Sequence, residues 1–187
     1  MMTFITLPDL QRRFIGFARD RRGVSAVEFA MLLPLMITLY LGTVEISQGV
    51  AIDRKVTLVT RTIADLTSQA STVSTTDMTN IFNATTSVMA PYDVSKLKVT
   101  ISLVTIDSNA AAKVTWSCTY QGTKRAVNSS VTLPSALQVA STTMIWSESS
   151  YSYKPTIGYV VTGTLNLSDQ IYMRPRLSDT IAGPSSC

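Results

Sequence analysis

Apolar positions along the chain follow three successive periods. From Phe29 to Val44 the residues FAMLLPLMITLYLGTV run sixteen positions without a charge, bounded by Glu28 and Glu45. Counting back to Val24 gives 21 residues, roughly 31 Å at the helical rise, against a bilayer core of about 30 Å. One transmembrane helix is predicted, with Glu28 near one end and Pro34 inside it, where the lost backbone donor is expected to kink the helix. In VEISQGVAIDRKVTLVTRTIADL, Ile46, Val50, Val56, Val59, Ile63 and Leu66 then recur at three- to four-residue intervals, with one irregular step across Asp53. The helix is therefore expected to continue to about Leu66 as one rod with an amphipathic second half.

Residues 56–87 contain fourteen Ser or Thr in thirty-two, which reads as a solvated linker after the rod. A shorter helix is expected from Thr76, capped by Thr75 or Thr76, with Met78, Ile81 or Phe82, and Val88 or Met89 on one face and Pro91 closing it. The period then changes to two. Leu97, Val99, Ile101 and Leu103 alternate with polar residues, as do Val114, Trp116, Cys118 and Tyr120, and Asp107, Ser108 and Asn109 supply turn chemistry between them. These predict paired antiparallel strands, with further strands at 142–153 and 159–167. The expected fold class is α+β: a long N-terminal transmembrane and amphipathic helix, then a small, mainly antiparallel sheet domain.

Length and composition sharpen this picture. The 187 residues make one domain, or one with an appendage, and 45% apolar against 15% charged residues is not the composition of a disordered chain. The net charge of +4 is concentrated in residues 1–23, where five arginines (Arg12, Arg13, Arg19, Arg21, Arg22) face Asp9 and Asp20, leaving the body nearly neutral. Such a distribution does not describe a nucleic-acid-binding surface. It favours a cytoplasmic N-terminus and an exported body, since only Arg54 and Lys55 follow the span closely. Leu10, Phe14 and Phe17 lie at helical spacing among the arginines, so this tip either rests on an anionic membrane surface or only sets topology. An ordinary cleaved secretory signal fits poorly, because the basic region exceeds twenty residues and no A-x-A site follows the apolar run.

No histidine occurs, which removes His-dependent triads and His-containing zinc sites. Cys118 and Cys187 are the two cysteines, too few for a Cys-type zinc site and too far apart for a C-x-x-C pair. Cys118 is read either as a buried free thiol or, in an oxidising compartment, as the partner of Cys187 in a disulfide that pins the tail to the sheet. Asn83, Asn128 and Asn166 begin N-x-Ser/Thr triplets that arise readily by chance in so hydroxyl-rich a chain, and Asp107 with Asn109 is only a fragment of a calcium loop. No phosphate-binding glycine motif and no catalytic constellation is present, so no enzyme activity, metal or cofactor is expected.

The most specific stretch is RRGVSAVEFAMLLPL. A charge inside an apolar helix costs about 2.5–3.5 kcal/mol at the bilayer centre and less near an end, so Glu28 calls for a partner or a shallow position. Either it snorkels to the interface without consequence, or cutting after Gly23 creates an α-amine on Val24 that Glu28 of a neighbouring subunit neutralises. The string RRG, then VSAVE, then a long apolar helix resembles a class III prepilin-type leader. More narrowly, RRGVSAVEFAMLLPLMITLYLGTVEIS resembles the N-terminal signature of the TadE-like family, pseudopilins of the tight-adherence (Flp-type) pilus system. SYSYKPTIGY followed by SDQIYMRPR is similar, less specifically, to the C-terminal region of such proteins.

The resemblance implies a pilin-like body and a leader at 1–23, a transmembrane helix at 24–46, a helical extension, linker and short helix at 47–90, and an extracytoplasmic β-rich domain at 91–187. It implies cleavage at Gly23 and Val24 by a prepilin peptidase, with Glu28 as the processing and assembly glutamate. Implied partners are that peptidase, other pseudopilins and the major pilin, the inner-membrane assembly platform and membrane lipid. The implied location is the bacterial inner membrane, with the body in the periplasm or carried into a pilus. The alternative reading is an unprocessed single-pass envelope protein with a periplasmic binding or adhesion domain.

Overall fold

The computed structural model describes residues 23–155, 158 and 162–187. Its elements run in the order α1 (Val24–Ser68), α2 (Thr75–Ser87), β1 (Leu97–Ile106), β2 (Ala112–Tyr120), β3 (Thr142–Tyr153) and β4 (Leu165–Met173). The chain divides into two compact units between Val44 and Glu45. The first holds the apolar half of α1. The second holds the amphipathic half, α2 and an antiparallel four-stranded sheet of order β2-β1-β3-β4. The expected α+β class is thereby realised, with strands at the two period-two runs and at Thr142–Tyr153.

The second half of α1 forms the core because its inward stripe is apolar at helical spacing. Ile52, Val56, Val59, Ile63 and Ala64 are buried together with Leu97, Val99, Ile101 and Leu103 of β1, Trp116 and Cys118 of β2, and Ile145, Tyr151 and Tyr153 of β3. Each fully buried Val or Ile of that stripe contributes about 1.5–3 kcal/mol of transfer free energy. Ile46 and Val50, expected on the same stripe, instead lie outside at 56% and 48% exposure. The reason is the irregular step: six residues from Val50 to Val56 rotate the side chain about 120° away at 3.6 residues per turn.

The Ser/Thr-rich stretch is not a linker. It forms the end of α1, a short connection and α2, and most of its Ser and Thr residues lie in those two helices or at the Ser74 cap. Thr60 is wholly buried and its hydroxyl meets both the Val56 carbonyl and the Ser149 hydroxyl across the helix–sheet seam. Ser149 also donates to the Val56 carbonyl at 3.2 Å. Helix α2 begins one residue before the expected start and is capped by Ser74 rather than Thr75 or Thr76. Ser74 accepts from the Asp77 amide while the Asp77 carboxylate accepts from the Ser74 amide, a reciprocal capping box. The Ser74 hydroxyl, which donates to the same carboxylate at 2.7 Å, and then the Ser74 amide hold the Asp77 carboxyl below its ordinary range. Met78 and Phe82 of α2 are buried, as is Met89 beyond its end.

Strand β2 departs from simple alternation. The register pairs Leu103 with Trp116 but Val104 with Val114, a bulge that leaves Thr115 as the extra residue. Val114 thus shares a face with Val104 and Ile106, not with Trp116, Cys118 and Tyr120 as the alternation predicted. A second cluster fills that face, comprising Val104, Ile106, Ala112, Met144, Trp146 and, from the following loop, Leu133. The Asp107 carboxylate accepts from the amides of Asn109 and Ala111 and so shapes the β1–β2 turn. The last strand begins later than expected: Leu165–Met173 pairs with β3, after Gly158 and Gly163 with φ of 64° and 94°. Part of the expected 159–167 strand lies outside the described residues.

Residues 174–187, which no period announced, cross the fold as a strap. Arg176 donates its amide to the Ser68 carbonyl at 2.9 Å and its guanidinium pairs with Asp65 at 2.6 Å. Ile181 is buried in the main core, its carbonyl accepts from the Trp116 indole at 2.9 Å, and Ala182 bridges in parallel to Thr72. Gly183 lies flat against the Trp116 ring, so close that a Cβ there would overlap indole carbons. Replacing Gly183→Ala therefore displaces the strap or the indole, and is expected to lower stability by about 1–3 kcal/mol, the cost of overpacking a filled core. Chemical denaturation followed by Trp fluorescence measures it; an unchanged midpoint would show that the strap gives way freely.

Candidate processing and anchoring segment

Three sequence-predicted residues meet at the start of α1. Gly23 is exposed, and a Cβ placed on it would meet nothing within 4 Å. Val24 is the first helical residue and is 48% exposed. Glu28 follows it by four, so the two occupy one helix face, about 6 Å apart along the axis. Gly23 itself lies in a helical turn that leads directly into α1. The arginines of residues 1–22, and Leu10, Phe14 and Phe17, lie outside the described residues.

From Val24 to Ile37 every residue of the helix is exposed. Phe29, Met31, Leu35, Leu39 and Tyr40 are all more than half exposed, and this apolar stretch is long enough to cross a membrane. Fully exposed apolar side chains all around a helix describe an element whose solvent is lipid or other helices. Two of its hydroxyls are satisfied internally: Thr38 donates to the Pro34 carbonyl and Thr43 to the Leu39 carbonyl, each at 2.8 Å. Such back-bonding removes a free hydroxyl from hydrocarbon. The helix runs through Pro34 without interruption.

Where this unit ends, Glu45 begins the second. Glu45 is 2% exposed and its carbonyl accepts from the Tyr153 hydroxyl at 3.3 Å. The Tyr153 ring covers Gly49, with 3.5 Å left for a Cβ there. Burial first, then the Glu45 carboxylate, pushes the Tyr153 hydroxyl above its ordinary range, so that it remains a donor at neutral pH.

The other predicted pair lies wholly in the second unit. Cys118 is fully buried on the helix-facing side of β2, and its sulfur is bonded to that of Cys187, with the Cα atoms 5.2 Å apart. The bridge closes 69 residues of sequence separation and fixes the far end of the strap beside the sheet. Two further contacts surround it: Thr75 donates to the Ser186 carbonyl at 3.0 Å, and Lys124 approaches the Cys187 carbonyl at 3.4 Å. Sequence reasoning missed the strap residues that support this pair, Ile181 and Gly183, because a single buried residue in an irregular segment leaves no period to detect. Among the described residues no cluster of His, Cys, Asp and Glu has the makings of a metal site.

Residues 23–65 match the model of the TadE-like protein family, which is associated with tight-adherence pilus systems and is structural rather than catalytic. The match begins at Gly23 and covers the whole exposed apolar half of α1 together with most of its buried half. Comparison with curated proteins and with solved structures yields no match.

Because the bridge closes so long a loop, its loss acts chiefly on the unfolded chain. Replacing both cysteines, Cys118→Ser with Cys187→Ser, is expected to cost about 2–5 kcal/mol. Thermal melts of the oxidised, reduced and doubly substituted proteins test this. Equal midpoints for all three would mean that the bridge adds nothing to the strap's other contacts.

Proposed function

We propose that the chain is a membrane-anchored minor pseudopilin that primes, initiates or caps a tight-adherence pilus after a prepilin peptidase removes residues 1–23. What supports this reading most is the arrangement at the start of α1: an open glycine, a helix start at Val24 within an apolar span, and a carboxylate one turn further on, in the segment that carries the family match. Hydrolysis of the Gly23–Val24 amide consumes one water. The leader departs with the Gly23 carboxylate, and Val24 keeps an amine that is protonated at neutral pH.

Both resulting charges would be costly alone in hydrocarbon. The Val24 ammonium and the Glu28 carboxylate of a neighbouring subunit offset each other when helices pack laterally, since attraction between opposite charges strengthens as the dielectric falls. Before assembly, the 24–44 helix retains the subunit in the inner membrane, with the arginine-bearing end cytoplasmic and the sheet domain periplasmic. An oxidising periplasm is also where the Cys118–Cys187 bridge would persist. The partners on this reading are the peptidase, other pseudopilins and the major pilin, the inner-membrane platform and lipid.

Intact mass and N-terminal sequencing of the native membrane-fraction protein are expected to show a Val24 start in cells with an active prepilin peptidase and a Met1 start without it. A Met1 start in both would leave the alternative, an unprocessed single-pass envelope protein with a periplasmic binding domain. Glu28→Gln is expected to leave membrane insertion intact while reducing fibre assembly at least tenfold, scored by sheared-pilus yield. Equal loss of insertion and assembly would reduce Glu28 to a residue that only tolerates the interface.

A further inference from the structure

The two faces of the sheet are covered differently. One packs on α1 and α2, whereas on the other, residues 122–129 border a cleft of about 910 Å³ over β1, β3 and β4. The register builds its floor from two cross-strand rows: Lys98, Ser150 and Ser168 in one, Thr100, Glu148 and Gln170 in the next. Neighbouring rows on one face stand about 7 Å apart. The floor of the cleft is therefore an array of polar side chains.

Arg125 is fixed at its wall in three ways. Its Nε and Nη2 donate to the same Glu148 oxygen at 3.2 and 2.6 Å, its guanidinium lies 3.7 Å over the Trp146 ring, and its amide donates to Ser117 Oγ at 3.1 Å. Trp146 in turn stacks on Tyr172 at 5.4 Å. One edge of the guanidinium and the second Glu148 oxygen are left without a partner among the described residues. An arginine held this way loses little freedom on meeting a ligand. Lys98 is exposed and makes no ion pair among the described residues, and Lys124 makes only its long contact to the Cys187 carbonyl.

Pockets for drug-like molecules are mostly apolar with a few polar groups. This cleft exposes polar and apolar surface in nearly equal measure, its lining residues are almost all polar, and its three cations outnumber the Glu148 and Asp169 carboxylates. We infer that it binds an acidic saccharide. The ligand's carboxylates would meet Lys98, Lys124 and the open edge of Arg125, and its ring hydroxyls would meet Ser150, Gln170 and the free Glu148 oxygen. A hydroxyl-rich ligand matches a floor of hydroxyls and amides. This site uses only residues of the sheet domain and stands apart from cleavage at Gly23.

The test is calorimetric titration of the full chain in non-ionic detergent micelles, at low salt, with oligouronate and with neutral dextran oligomers of equal length. Saturable one-to-one binding of oligouronate, no binding of dextran, and at least a tenfold loss of affinity in Lys98→Glu with Lys124→Glu at an unchanged melting temperature are expected. If that double variant does not fold, Lys98→Gln and Gln170→Ala singly are each expected to weaken binding several-fold. The inference fails if oligouronate gives no saturable binding or if folded variants bind as well as the parent. It fails equally if a duplex oligonucleotide of equal charge competes as well as the uronate, since the cleft is then only a patch of charge with Arg125 fastening a loop.

Discussion

The structure depends on the burial of one helical stripe against one sheet face. Ile52, Val56, Val59 and Ile63 leave water together with Leu97, Val99, Ile101 and Leu103. A four-stranded sheet that exposed this face would not persist, because its twisted ribbon gains most of its stability from the apolar side chains it covers. The helix has the same need: outside lipid its amphipathic half is stabilised by tertiary packing more than by propensity. At one point the seam is polar, where the hydroxyls of Thr60 and Ser149 meet each other and the Val56 carbonyl. That contact places a residue of β3 against one particular turn of α1, which apolar packing alone does not do, because polar partners must align to be satisfied.

Around that seam the remaining elements close gaps. The capping box at Ser74 lets the chain restart as a helix only seven residues after α1 ends, so that Met78 and Phe82 extend the cover over the sheet. The strap seals the other side: Ile181 enters the core, the Trp116 indole finds its acceptor on the Ile181 carbonyl, and the Cys118–Cys187 bridge holds the end. On the opposite face, the bulge in β2 lets one strand contribute to two cores. Val114 goes to the second cluster's side while Trp116 and Cys118 go to the first. Arg125, Glu148 and Trp146 then keep the long β2–β3 connection against that face.

The candidate site lies on a helix whose surface differs from that of the rest of the chain. The unit from Glu45 onward gathers most of its large apolar side chains into cores, whereas Val24 to Ile37 exposes its apolar side chains throughout. Gly23, Val24 and Glu28 stand at the edge of that second environment, where the free energy of a charge is set by how deep it lies and by what it meets. On the proposed reading, their chemistry depends on the neighbouring helix or lipid as much as on this chain.

The sequence by itself determined what local pattern can encode: the apolar span, the Gly23–Val24–Glu28 spacing, the α+β class and the runs that became β1, β2 and β3. Each of these is a short-range period or a contiguous motif, and such signals do not depend on distant residues. It misread the Ser/Thr-rich stretch as a linker and placed Ile46 and Val50 on the buried stripe. Hydroxyls are neutral until something is packed beside them, and a stripe is inward only where a partner exists. Tertiary structure alone decided which face of β2 each residue takes, that residues 174–187 return to the core, and that Arg125 lies over Trp146. Those outcomes rest on contacts between residues far apart in the chain, for which no local periodicity carries a record.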